Sequence, residues 1–113
     1  MRSLIILFLT TTILTSTAQT PCVNGFAGPY PCSNVDMLSR MTLAQLGTTI
    51  DLADLWGWTD PLTDIEYALV GTRTGVSFVD LSDPINPVLI GTLPAHNGVT
   101  SLWRDVDTHG NYC

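Results

Sequence analysis

The sequence predicts an all-β chain: four short antiparallel strands forming the first blade of an incomplete β-propeller, behind an export signal and a cysteine loop. Three observations carry that expectation. From Asp51 to Pro94 the apolar residues recur at period two or in short continuous runs, without a sustained helical period. Turn residues separate the runs, among them Asp60-Pro61, Gly75 and the pair Pro84 and Pro87. Four such runs fit within residues 51–94, the span of one propeller blade.

Composition sets the outer limits. The chain has 113 residues, four Arg, no Lys and ten acidic side chains, for a formal charge of −6. That length accommodates one small domain. Binding nucleic acid requires clustered Arg and Lys to displace counterions, so an acidic chain without lysine argues against that partner. With 45% hydrophobic and 12% charged residues the chain is too apolar for intrinsic disorder.

Met1-Arg2 forms a short positive start, Leu4 to Leu14 an apolar run, and Ser16-Thr17-Ala18 a small-residue site. This is the pattern of a secretory signal over residues 1–18, cleaved before Gln19. A membrane span needs about 20 apolar residues, and this run is shorter and interrupted by three threonines. No other stretch has the length and hydropathy to cross a bilayer. The mature part is therefore expected to be secreted or displayed at the cell surface. It retains three Arg against the ten acids.

Residues 19–50 read as a cysteine loop and a short helical lead-in. Cys22 and Cys32 enclose a stretch with Pro29, Pro31, Gly25 and Gly28, which excludes helix or central strand. In an oxidising compartment two cysteines closing such a loop are most simply a disulfide. Cys113 is then unpaired. Ser33-Asn34 resembles a helix cap before Val35, Leu38 and Met41, which predicts one or two helical turns over 35–41. Leu43 and Leu46 sit at helical spacing, but Gly47-Thr48-Thr49 breaks that run.

The blade follows. Asp51–Trp58 alternates acidic, apolar and aromatic residues, and places Trp56 and Trp58 on one face. Glu66–Gly71 is the second strand, and Thr72-Arg73-Thr74-Gly75 a tight connection with Gly75 suited to positive φ. Val76–Leu81 is the third strand. In Ser82–Pro87, Asp83 accepts hydrogen bonds from the backbone ahead of it and Pro84 fits the second position of a type I turn. Val88–Pro94 is the fourth strand. Residues 95–113 read as a linker followed by the opening strand and hairpin of a second blade, with Asp54-Leu55 and Asp105-Val106 as equivalent pairs. A propeller needs several blades to close, so one blade and the start of another read as a fragment of a longer protein.

These residues carry a family resemblance. The chain resembles the N-terminal region of the choice-of-anchor B family of secreted proteins, built from LVIVD-type repeats. The likeness lies in Ala18-Gln19-Thr20-Pro21-Cys22-Val23-Asn24-Gly25, Tyr30-Pro31-Cys32, Trp56-Gly57-Trp58-Thr59-Asp60-Pro61, Glu66-Tyr67-Ala68-Leu69-Val70-Gly71, Phe78-Val79-Asp80-Leu81-Ser82-Asp83-Pro84 and Leu102-Trp103-Arg104-Asp105. It implies a repeat propeller on the exported side of a bacterial envelope. Members end in varied sorting or anchoring signals, and no such signal is recognisable here. The family supplies no catalytic residues to carry over.

Candidate chemistry is sparse. Asp60, Asp64, Asp105 and Asp107, with Asp51 and Asp54, fall at turns and strand starts, where converging carboxylates could hold Ca²⁺ through roughly six to eight oxygens. They do not follow a calcium-loop pattern, so turn hydrogen bonds are the favoured role and no cofactor is expected. His96 and His109 are the only imidazoles and fall in loops. Ser101 near His96 lacks a nucleophile elbow, and no glycine-rich phosphate loop is present. Trp56, Trp58 and Trp103 suit stacking on sugar rings, against a competing role in core packing. Arg104 beside Asp105 suggests an ion pair within the strand. The expected function is a non-catalytic module that binds an extracellular protein or glycan, with His96 and the three tryptophans as candidate contacts. The alternative is a metal-assisted hydrolase or lyase whose site lies in further blades.

Overall fold

A computed structural model describes residues 19–113; the export signal expected over residues 1–18 lies outside the described residues. The chain builds a two-stranded hairpin, β1 (Phe26–Ala27) and β2 (Tyr30–Pro31), and one four-stranded sheet. The sheet contains β3 (Leu52–Thr59), β4 (Glu66–Thr72), β5 (Gly75–Asp80) and β6 (Val88–Pro94) in sequence order. Every neighbouring pair is antiparallel. The fold is all-β, and each sheet strand lies within two residues of its expected bounds. No helix among the described residues is long and apolar enough to cross a membrane.

The turns follow their side chains. Asp60 Oδ1 accepts the Leu62 N–H at 3.0 Å and its Oδ2 accepts the Thr63 hydroxyl at 2.7 Å, which fixes the β3–β4 turn. Asp83 accepts the Ile85 N–H and the Asn86 side-chain amide, as its place before Pro84 led us to expect. Gly75 differs from expectation, because its φ is not positive. The reason for glycine there is space: the Leu93 carbonyl oxygen occupies the position a Cβ would take.

Alternation sends the two sheet faces to different partners. One face carries Ala68, Val70, Val79 and Leu89, and residues 41–47 lie across it. Leu46, Val70 and Val79 form the buried cluster, with Met41, Ala68, Leu81 and Leu89 packed around it. The Ser77 hydroxyl donates to the Leu46 carbonyl at 2.7 Å, a buried bond that pins this cover to the sheet. The other face carries Asp54, Trp56, Trp58, Tyr67, Leu69, Gly71 and Phe78, aligned across strands by their registers.

Residues 35–41 are not helical. Asn34 adopts a left-handed φ of 54° rather than a cap conformation. Asp36 instead accepts the Cys22 N–H and the Gln19 side-chain amide, and Met37 pairs with Thr20. These long-range partners tie the segment to the cysteine loop and override its weak helical pattern. Cys22 and Cys32 form the expected disulfide, and Cys113 is free and exposed.

Candidate functional site

The second face is partly covered by the end of the chain. Two backbone bonds and one side-chain bond bring the linker there: Ala95 N–H to the Thr74 carbonyl, Ser101 N–H to the Arg73 carbonyl, and Arg104 Nε–H to the Thr72 carbonyl. Arg104 also donates to the Val99 carbonyl, so it does not form the expected pair with Asp105. The ion pair present among the described residues is Arg73 with Asp51, at 3.5 Å on the surface.

From there residues 106–110 run along β3 in register. The Val106 N–H donates to Asp54 Oδ2 at 2.9 Å, Trp56 Nε1–H donates to Thr108 Oγ1 at 3.0 Å, and Trp58 Nε1–H donates to the Gly110 carbonyl at 3.0 Å. The separation is 52 residues in all three contacts, so the two segments run in the same direction without slippage. The Asp54 carboxyl is held below its ordinary pKa, first by the Val106 N–H and then by the Leu55 N–H. Residues 101–107 are not paired as a strand, contrary to expectation, because side chains on the sheet face, not a strand edge, receive them. A hairpin-like bridge does form between His109 and Tyr112.

Between this segment and the sheet lies a cleft of about 270 Å³, lined by Trp58, Tyr67, Leu69, Phe78, Ile90, Thr108, Asn111, Tyr112 and Cys113. The Trp58 and Tyr67 rings stack at 5.7 Å with a 32° tilt and form one wall. Thr108, Asn111 and Cys113 contribute polar groups to a lining that is otherwise mostly apolar and aromatic, which suits adsorption of an apolar or ring-shaped surface. A second cavity, about 400 Å³ and more polar, lies between residues 39–45 and 85–88, with Arg40 at its edge. Arg40 also covers the Tyr30 ring at 5.5 Å.

The candidates from the sequence separate clearly. Trp56 and Trp58 share a face, as expected, but they anchor the 106–110 segment and stand outside the buried cluster. Trp103 is 93% exposed, so core packing does not apply to it. His96 is exposed in a 3₁₀ turn over His96–Gly98, and is not among the cleft residues. Asp60 is committed to its turn, Asp107 accepts the Thr108 N–H, and Asp64 and Asp105 are exposed. Among the described residues no three His, Cys, Asp or Glu side chains gather as a metal group. Sequence reasoning missed Tyr67, Phe78 and Ile90 as cleft residues. Their alternation with the Ala68, Val70 and Val79 face held the signal, but only a partner for the second face gives it meaning.

No family model matches the sequence, and no curated protein or solved structure is similar to it.

Proposed function

We propose that the chain is an exported, propeller-type repeat protein of the LVIVD kind that acts outside the cell as a binding module. The observation that carries this reading is the constant 52-residue offset of the three contacts from β3 to residues 106–110. Successive blades in a ring stack face to face with their inner strands running in the same direction, which requires one repeated offset. The Cys22–Cys32 disulfide supports an oxidising destination.

The aromatic cleft is the contact site in this reading. Trp58 and Tyr67 offer a ring platform to a glycan or to an apolar side chain of an extracellular protein. The test is a glycan microarray, followed by calorimetric titration of the positives and of Ca²⁺. Binding without turnover, weakened about tenfold or more by Trp58→Ala, supports the reading. Turnover of the bound glycan contradicts it.

A further inference from the structure

Two Asn-Gly steps stand in the sequence, Asn24-Gly25 and Asn97-Gly98. Such a step is where asparagine deamidates with least hindrance, because glycine has no side chain to shield its nitrogen. The glycine nitrogen gives up its proton and bonds to the asparagine Cγ. The Cγ–Nδ2 bond breaks, and the side-chain nitrogen takes that proton and leaves as ammonia. Water then opens the succinimide ring at one of its two carbonyls, which yields aspartate or isoaspartate. No electrons change hands, and water is the sole co-reactant. Sequence alone ranks the two steps equally.

The structure separates them. Both asparagines are left-handed, Asn24 with a φ of 53° and Asn97 with a φ of 54° and a ψ of 21°. A left-handed residue turns the following nitrogen away from its own Cβ, so the five-membered ring closes only after the turn opens locally. The Asn97 turn is held by two hydrogen bonds, from the Gly98 N–H to the Ala95 carbonyl at 3.0 Å and from the Val99 N–H to the His96 carbonyl at 3.2 Å. Asn24 and Gly25, whose φ is 83°, are the central residues of a two-residue type I′ turn. Val23 and Phe26 exchange both backbone bonds across it, at 2.9 and 3.1 Å. The Gly25 nitrogen makes no hydrogen bond among the described residues, so the frame around it does the holding. The Gly25 carbonyl accepts the Cys32 N–H at 2.9 Å, the Cys22–Cys32 bond closes a covalent ring around the turn, and the Cys22 N–H is tied to Asp36.

We propose that Asn24 is a deamidation site guarded by the Cys22–Cys32 disulfide. While the bond is intact, the ring resists the backbone rotation that brings the Gly25 nitrogen to the Asn24 Cγ. Reduction removes that restraint and leaves a reactive nitrogen with no hydrogen bond of its own to break. The two products differ in their effect. Aspartate suits the same turn and adds one negative charge. Isoaspartate lengthens the backbone by one carbon, so Val23 and Phe26 no longer oppose each other. The proposal uses only the geometry of this loop and is independent of the stacked-repeat reading.

The experiment is incubation of the purified chain in mildly alkaline buffer, oxidised and with a thiol reductant. Peptide mapping by mass spectrometry follows asparagine, aspartate and isoaspartate at both steps, with Asn97 as the internal reference. In the oxidised chain Asn97 converts and Asn24 lags behind it. Loss of the disulfide speeds conversion of Asn24 by about tenfold or more and leaves the Asn97 rate unchanged. The paired substitution Cys22→Ser with Cys32→Ser reproduces the effect without reductant. Equal Asn24 rates with and without the disulfide overturn the proposal, as does an Asn24 that keeps pace with Asn97 in the oxidised chain. Equal acceleration of both steps overturns it too, since the disulfide would then steady the whole chain and not this turn.

Discussion

Replacing Gly71 with alanine probes the seat of residues 104–110 on the sheet. A Cβ at Gly71 falls 2.6 Å from the Arg104 carbonyl oxygen and 3.2 Å from the Asp54 nitrogen. Ordinary contact begins near 3.4 Å, so the Arg104 carbonyl must retreat by about 0.8 Å. A shift of that size, carried to the Val106–Asp54 bond of 2.9 Å, takes it beyond hydrogen-bond distance. Overpacking of this kind costs about 1–3 kcal/mol, and the gain from removing a strand glycine offsets about 0.5–1 kcal/mol of it. Gly57→Ala is the internal control, since it adds the same methyl in open space and is expected to be neutral or mildly stabilising. Urea unfolding followed by tryptophan fluorescence gives the two stabilities, and the indole N–H resonances of Trp56 and Trp58 report the docked segment. Gly71→Ala with an unchanged midpoint and unchanged indole resonances would refute the reasoning.

Three further outcomes are expected. Ser77→Ala leaves the Leu46 carbonyl without its buried donor and destabilises by about 1–3 kcal/mol, read by urea unfolding. Reducing the Cys22–Cys32 bond releases a short loop worth about 2–3 kcal/mol by chain entropy, visible as faster amide exchange in the Phe26–Pro31 hairpin. The Asp54 carboxyl has a folded pKa below its unfolded value, so its contribution is complete above the unfolded value near 3.8 and is lost as pH falls through the folded one. The Val106 amide resonance should therefore move late in an acid titration, below the ordinary aspartate range, and Asp54→Asn should abolish that movement.

Much of the sheet was legible because its signals are local. Asp60, Asp83 and Pro84 close their own turns, and period-two alternation placed β5 and β6 nearly to the residue. The cysteine pair was legible from its loop and its expected compartment. The failures share a cause, which is long-range contact. The 35–41 helix was displaced by Asp36 reaching back to Cys22 and Gln19, a link no local pattern encodes. Trp103 is apolar on strand-like spacing, yet Arg104 turns into the Thr72 and Val99 carbonyls and leaves the indole in solvent. The sequence suggested Asp54-Leu55 and Asp105-Val106 as equivalent pairs, but the contacts that carry Trp56 to Thr108 and Trp58 to Gly110 span 52 residues and leave no local signal.

Nuclear Overhauser spectroscopy of the purified chain addresses that offset most directly. Cross-peaks from the Trp56 indole N–H to Thr108 and from the Trp58 indole N–H to Gly110, with a slowly exchanging Val106 amide, are the predicted result. Random-coil shifts and fast exchange across residues 104–110, with both indoles free of such cross-peaks, would contradict the stacked-repeat account.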